Sequence, residues 1–286
     1  MENNLKNELE TAINLARNAG EIILEIYKTD FDVEQKFSKD NFSEPVTIAD
    51  KQSSELIVKG LRETFPFDGI LSEEEKDNQL QRLSRERVWI IDPIDGTQGF
   101  VEKAGDFAVQ IGLTIKGVAV LGVVFQPTIK RLYYAVKDEG CFLIDNNLSA
   151  KKLQVSDKIT FSEITLAVSR SHRSSRMEKL NEVFGFKGEF PHGSVGLKVG
   201  ILAQQQADIY IHLSPRTKLW DTAAPQIILE EAGGKMTDLF GDEIRYDISD
   251  VQNYNGVLAS NGFCHQSAVE KLRPLLTKFG RVKVIS

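Results

Sequence analysis

Two acidic residues flank a proline in segment 89–97, which reads WIIDPIDGT. An apolar run ends on Asp92, Pro93 disfavours continued strand pairing, and Asp95 follows three positions after the first acid. A stiff turn of this kind holds two carboxylates close together, and Mg²⁺ prefers oxygen ligands. The carbonyl of Ile94 is free to act as a neutral ligand. The pattern is compatible with a magnesium site; the alternative is a surface turn that merely ends a strand.

Further acidic residues could join such a site, but each also has a structural explanation. Glu73 and Glu74 are adjacent like charges, which are costly unless solvent or cations offset them, and the alternative is a solvated charge run in which 72–75 forms a helix capping box. Asp221 precedes a predicted helix and could be its N-cap. Segment 47–50, ending in Asp50, also resembles a capping box. Single motifs therefore leave the chemistry open.

The elements that must position these residues follow from apolar periodicity. Apolar residues recur every three or four positions from Leu5 to Ile26 and predict a first helix, and a second helix begins near Thr47 and stops before Pro66. Between Val88 and Leu143, β-branched runs separated by turn residues predict an antiparallel meander. From about Ser156 the predicted strands and helices alternate, which is typical of an α/β domain. The strands are predicted near 164–169, 208–213 and 256–260, and the helices near 177–184, 197–205 and 222–232.

Composition narrows the class of function. A formal net charge of −6 argues against a nucleic-acid partner, because such proteins neutralise phosphates with Lys and Arg. The sequence contains no run of eighteen apolar residues, so no membrane span is predicted. The chain has two cysteines, Cys141 and Cys264, which are too few and too far apart for a disulfide framework or a cysteine-ligated zinc site. We expect a cytoplasmic protein without a membrane partner.

Several segments together resemble one enzyme group, the lithium-sensitive, magnesium-dependent phosphatase (inositol monophosphatase) superfamily. This superfamily includes inositol monophosphatases and 3'(2'),5'-bisphosphate nucleotidases. The ordered set is more specific than any single motif. The resemblance is carried by 45–50 (PVTIAD), 71–74 (LSEE), 89–97, 220–225 (WDTAAP) and 231–234 (EAGG).

The resemblance implies a layered αβαβα sandwich of the α+β / α/β class. It implies an α+β catalytic domain over residues 1–155 and an α/β substrate-binding domain over 156–286 that supplies Asp221. Two or three Mg²⁺ ions are expected, and the oligomeric state is a monomer or a homodimer. The implied metal ligands are Glu73, Asp92, the carbonyl of Ile94, Asp95 and Asp221.

The same resemblance assigns the water-activating groups and the substrate contacts. Asp50 and Thr97 orient and deprotonate the attacking water, and the amides of Gly96 and Thr97 hold the phosphate. Segment 167–173 (AVSRSHR) resembles the Ser-Arg-Ser-His motif of the bisphosphate nucleotidases. It implies the substrate contacts Ser169, His172, Ser194 and Lys198.

We therefore expect hydrolysis of 3'-phosphoadenosine 5'-phosphate to AMP and phosphate, with a small phosphate ester as the partner. The residues Gln98 and His212 depart from the nucleotidase pattern, which often has Lys and Arg at these positions. The alternative within enzymes is an inositol monophosphatase or a broad sugar-phosphate phosphatase. A more remote alternative is a nucleotide or metal sensor without turnover.

Overall fold

A computed structural model describes residues 5–37, 43–146, 148–170 and 174–285. Within these ranges the chain forms eight α-helices and fourteen β-strands. The helices are α1 Lys6–Tyr27, α2 Ile48–Thr64, α3 Gln79–Leu83, α4 Thr97–Val101, α5 Ser175–Phe184, α6 Val195–Ala203, α7 Leu219–Glu231 and α8 His265–Lys278. The strands are β1 Val33–Phe37, β2 Ser43–Thr47, β3 Gly69–Ser72, β4 Arg87–Asp95, β5 Ala108–Ile115, β6 Val118–Gln126, β7 Arg131–Val136, β8 Gly140–Asp145, β9 Lys151–Leu153, β10 Thr165–Val168, β11 Gly188–Pro191, β12 Ile209–His212, β13 Lys235–Thr237 and β14 Val257–Ser260.

Two large sheets organise the molecule. The first has seven strands in the order β3-β4-β5-β6-β7-β8-β9 and is antiparallel from β4 onward, with β3 parallel to β4. It contains the meander predicted between Val88 and Leu143. The second has five strands in the order β11-β10-β12-β14-β13 and mixes parallel with antiparallel pairs. Strands β1 and β2 form a separate two-stranded antiparallel sheet.

The helices fill three layers around these sheets. Helices α1 and α2 pack on the outer face of the seven-stranded sheet, α6 and α7 lie between the two sheets, and α5 and α8 cover the far face of the second sheet. All nine residues of α6 are buried, as expected for a helix with neighbours on every side. The layered αβαβα sandwich is thus confirmed.

The central apolar core spans both halves of the chain. It joins residues such as Ile90 and Val124 of the first sheet to Leu197, Ile228 and Ala259 from later in the chain. The division at residue 155 stays a prediction. Among the described residues, none of the helices combines the length and apolar character needed to span a bilayer.

Candidate active site

The end of β4 carries Asp92 and Asp95 where regular pairing stops. The strand runs through Pro93 to Asp95, but its register with β5 breaks between the two acids. Strand β3 has already ended at Ser72, so this part of β4 is an edge, where a proline is tolerated. The Asp92 carboxylate accepts a hydrogen bond from the Ile94 N–H at 3.0 Å. The sequence pattern thus becomes a buried bend that presents two carboxylates.

Helix α7 brings a third carboxylate to the same place. Asp221 lies in its first turn, where its Oδ2 accepts a hydrogen bond from the Lys218 N–H at 2.6 Å, so the residue caps the helix from its third position rather than acting as the N-cap. Ligand oxygens of Asp92, Asp95 and Asp221 lie within 4.8 Å of one another. Burial and the neighbouring Asp95 charge raise the pKa of Asp221 to about 8.

The electrostatics of this group of three fit a divalent cation. Burial raises the pKa of Asp92 well above its ordinary value, and the charges of Glu73, Asp95 and Asp221 raise it further. Buried like charges are costly unless a cation offsets them, and an all-oxygen donor set is the kind that Mg²⁺ selects.

Asp50 and Thr97 meet beside this cluster. Thr97 Oγ1 lies 3.2 Å from Asp50 Oδ1 and 3.0 Å from the Ile94 carbonyl oxygen, and its single hydrogen can serve only one acceptor at a time. The other oxygen of Asp50 accepts hydrogen bonds from the N–H and the hydroxyl of Thr47, both at 2.7 Å, so the predicted capping box is present. Burial raises the pKa of Asp50 to about 6 despite these bonds.

Glu73 is outside the group of acids whose ligand oxygens lie within 4.8 Å of one another. It follows β3 in a turn, not in a helix with a capping box at 72–75, and its carboxylate is 3.8 Å from Lys36 Nζ on β1. Lys36 also donates to the carboxylate of Glu74. Burial, followed by the charges of Glu74 and Asp221, raises the pKa of Glu73, while Lys36 opposes that rise. Glu73 is therefore close enough to interact electrostatically with the site while paired with a lysine.

The first turn of α6 holds Asp95 in position. Its carboxylate accepts hydrogen bonds from Val195 N–H at 3.0 Å, Gly196 N–H at 2.7 Å and the Ser194 hydroxyl. Ser194 has φ +55°, a conformation that non-glycine residues rarely adopt and that persists only where surrounding contacts hold it. The predicted substrate contact Ser194 thus also anchors a predicted metal ligand.

Close backbone packing fixes the loop next to Asp95. A side chain at Gly96, whose φ is +92°, would approach the Asp106 carbonyl oxygen to 3.1 Å and the Ser194 nitrogen to 3.2 Å. Gly96 is the N-cap of the short helix α4, which begins at Thr97. The two predicted phosphate-binding residues therefore lie directly after the acids.

Lys198 supplies a buried positive charge on α6. It is buried, and its Nζ lies 5.0 Å from the centroid of the Tyr210 ring. Burial lowers the pKa of Lys198 to about 8, although the charges of Asp95, Asp106 and Asp221 oppose the change. The cation therefore lies within electrostatic reach of the acids.

A cavity of about 370 Å³ lies at the C-terminal ends of β10 and β12. Ser169, Met177, Tyr210 and Leu213 are among its lining residues. Tyr210 connects this cavity to the acidic site, because the same ring faces Lys198. The predicted contact His172 lies outside the described residues.

Comparison with known proteins decides the family. The model of the inositol monophosphatase family matches residues 4–277. The chain belongs to the inositol monophosphatase family. A 3'(2'),5'-bisphosphate nucleotidase, CysQ of Salmonella typhimurium, is 35% identical over 240 residues, which cover 83% of this chain and 93% of that protein. An inositol-1-monophosphatase of Bacillus subtilis is 29% identical over 262 residues, covering 92% and 95%.

Solved structures of inositol monophosphatase family proteins agree with the fold. CysQ of Bacteroides thetaiotaomicron matches with a TM-score of 0.76 and 31% identity, covering 90% of this chain and 98% of that one. The IMPase of Thermotoga maritima matches with a TM-score of 0.77 and 27% identity, covering 96% and 100%. The chain is thus a phosphatase of this family, whose members generally use Mg²⁺.

Two buried polar residues near the site of this inositol monophosphatase family member, Asp106 and Gln110, were not identified from the sequence. Asp106 accepts a hydrogen bond from the Gly193 N–H at 2.5 Å and pairs with Arg170 at 2.8 Å, so it fixes the loop before α6. Gln110 is fully buried on β5. The only signal in the sequence was a polar residue within an otherwise apolar strand, AVQIGL at 108–113.

Proposed function

We propose that this chain is a magnesium-dependent phosphomonoesterase that hydrolyses 3'-phosphoadenosine 5'-phosphate to AMP and phosphate. The acidic group at β4 and α7 supports the metal dependence. The 35% identity to a bisphosphate nucleotidase supports the substrate. The proposal takes the five predicted ligands to hold two or three Mg²⁺ ions, namely Glu73, Asp92, the Ile94 carbonyl, Asp95 and Asp221.

In this proposal the chain's own groups position the reactants. Bound cations would stabilise the attacking and leaving oxygens of an in-line displacement. Asp50 accepts the proton of the attacking water through the Thr97 hydroxyl, which already lies between Asp50 and Ile94. The amides of Gly96 and Thr97 hold the phosphate. An aspartate with a pKa of about 6 is largely ionised at neutral pH and can act as the base.

The observation that carries the choice of substrate is the cavity beside a buried cation. A nucleotide leaving group carries an aromatic base whose flat faces favour a partly apolar pocket, and the 370 Å³ cavity is within the usual size of small-molecule sites. Lys198, reached across the Tyr210 ring, offers a positive charge for a second phosphate. We assign Ser169, His172, Ser194 and Lys198 to nucleotide binding.

A phosphate-release panel tests the proposal. The substrates are 3'-phosphoadenosine 5'-phosphate, inositol 1-phosphate and fructose 1,6-bisphosphate, each assayed with Mg²⁺ and with EDTA. We expect a higher kcat/KM for the nucleotide, loss of turnover in EDTA and inhibition by lithium. Preference for either sugar-type ester contradicts the substrate assignment, and turnover in EDTA contradicts the metal assignment.

The second candidate function is an inositol monophosphatase. It is favoured by the Bacillus subtilis relative, which matches a larger share of this chain than the nucleotidase does. The variant His172→Ala separates the two candidates. A nucleotidase should lose kcat/KM for the nucleotide selectively, whereas unchanged nucleotide turnover favours the inositol phosphate or a sugar phosphate.

A sensor without turnover is the remaining alternative. The hydrogen bond between Thr97 and Asp50 argues against it, because a pure binding protein has no need of a water-activating pair. The variant Asp95→Asn should abolish phosphate release. If phosphate release from the wild type is no greater than from this variant, the sensor function is favoured.

A further inference from the structure

Gln110 is a buried amide that makes no hydrogen bond to the part of the chain that the structure describes. Its side chain is 0% exposed, and neither its Oε1 nor its Nε2 has a hydrogen bond to any residue in the described ranges. Buried amides are almost always paired, and one left unpaired destabilises a protein. An unpaired amide in the centre of a sheet therefore requires an explanation.

The position of Gln110 in the sheet points to the acidic site. Gln110 on β5 is directly opposite Asp92 on β4, so both side chains lie on the same face of the sheet. Asp92 is the last paired residue of β4 before the break in register. The amide is thus next to the carboxylate that begins the bend.

Helix α6 covers the amide from above. A methyl group added at Gly196 would lie 2.9 Å from Gln110 Oε1, so the amide is in contact with this turn of the helix. The N–H of Gly196 donates to Asp95 at 2.7 Å. Gln110 is therefore enclosed between the backbone that anchors Asp95 and the strand that carries Asp92.

We propose that Gln110 is a positioning residue of the metal site, whose amide hydrogen-bonds to the Asp92 carboxylate when Mg²⁺ is bound. This inference rests on the metal dependence in the proposed function. Groups that orient metal ligands commonly change affinity by about 10- to 100-fold when they are removed. The protein tolerates the unpaired amide of Gln110 because the Asp92 carboxylate becomes its hydrogen-bond partner when the metal binds.

The test compares Gln110→Met with the wild type and with Gln226→Met. Methionine keeps the length of glutamine and removes the amide. Gln226 is a matched control, since it is also buried but its amide is paired with Glu230 and Tyr246. The readouts are the Mg²⁺ dissociation constant by calorimetry, the Tm in EDTA, and kcat as a function of Mg²⁺ concentration.

We expect Gln110→Met to bind Mg²⁺ about 10-fold or more weakly while its Tm in EDTA equals or exceeds that of the wild type. Excess Mg²⁺ should restore kcat. Gln226→Met should show the reverse, a lower Tm in EDTA with unchanged Mg²⁺ affinity. These opposite patterns separate a role in metal positioning from a role in packing.

Two results overturn the inference. Unchanged Mg²⁺ affinity in Gln110→Met removes the link to the metal site. A Tm in EDTA below that of the wild type, or failure to fold, shows that the amide has a partner without metal. If the wild type itself binds no Mg²⁺, the proposed function fails instead, and that outcome is visible before any variant is made.

Discussion

At the scale of single residues, Asp92 combines two roles that a substitution can separate. One carboxylate oxygen accepts the hydrogen bond from Ile94, which the carbonyl oxygen of asparagine can also accept, and the negative charge adds to the repulsion within the acidic group. With Asp92 as a metal ligand, as proposed, we predict that Asp92→Asn lowers kcat at least about 100-fold, because losing a ligand removes several kcal/mol of transition-state stabilisation.

The same variant should be at least as stable as the wild type in EDTA at pH 8. The buried acids of the wild type are more fully ionised at pH 8 than at neutral pH. Removing the charge of Asp92 therefore relieves the repulsion among them. Thermal melts with EDTA measure this effect. A clear loss of stability in EDTA would contradict this prediction. It would show that the charged carboxylate of Asp92 makes stabilising contacts that asparagine cannot replace.

Asp50 predicts the acid side of the pH profile. Burial raises its pKa to about 6, and only the ionised form can accept a proton from water. Activity should therefore decline as the pH falls below about 6, approaching tenfold per pH unit for a single ionisation. The measurement is kcat/KM between pH 4.5 and 8 at saturating Mg²⁺.

The Thr97 hydroxyl offers an internal check on this assignment. Thr97→Val removes the hydroxyl that lies between Asp50 and Ile94, and kcat should fall about 100-fold or more, the usual range for a lost general-base contact. Thr97→Ser keeps the hydroxyl and should retain most of the activity. Equal losses in both variants would assign Thr97 a packing role.

At the scale of elements, the distance between α7 and the first sheet depends on two glycines. Gly112 and Gly122 are opposite each other on β5 and β6, and a methyl group on Gly122 would lie 2.4 Å from the Ala224 carbonyl oxygen of α7. Because α7 carries Asp221 and β4 carries Asp92, this close approach helps to set the separation of the two acids.

We predict that Gly122→Ala destabilises the protein by about 1–3 kcal/mol, the usual cost of overpacking, and lowers kcat by displacing Asp221. Gly188→Ala on β11 is the control, since no atom of the described residues lies within 4 Å of the added methyl group and its effect should stay within about 0.5 kcal/mol. Urea unfolding and phosphate release measure both variants. Normal turnover in Gly122→Ala would mean that α7 adjusts without moving Asp221.

The elements also show what the sequence could predict. The sequence predicts the helices Lys6–Tyr27 and Ile48–Thr64 closely, because the buried face of a helix places an apolar residue at every third or fourth position. The pairing of Lys36 with Glu73 and the contact of the Gln110 amide with α6 arise between segments that are distant in the sequence. A local sequence pattern contains no information about such contacts, so only the structure could show them.

At the scale of the whole molecule, the acidic site joins the two halves of the chain. Asp92 and Asp95 belong to the seven-stranded sheet, whereas Asp221 belongs to the helical layer between the sheets. A cation held by all three is a crosslink between these layers. Binding to the folded state alone stabilises it by mass action, about 2.7 kcal/mol at 100 times the dissociation constant.

We therefore predict that Mg²⁺ at 100 times its dissociation constant raises the Tm by about 5 °C, since each kcal/mol shifts the Tm of a chain of this size by about 2 °C. The rise should occur in one cooperative transition, because the central apolar core contains residues of both sheets. Calorimetry with Mg²⁺ and with EDTA measures it, and Asp92→Asn should show little rise. Two separate transitions, only one of them sensitive to Mg²⁺, would instead mean that the halves unfold independently and that the cation does not connect them.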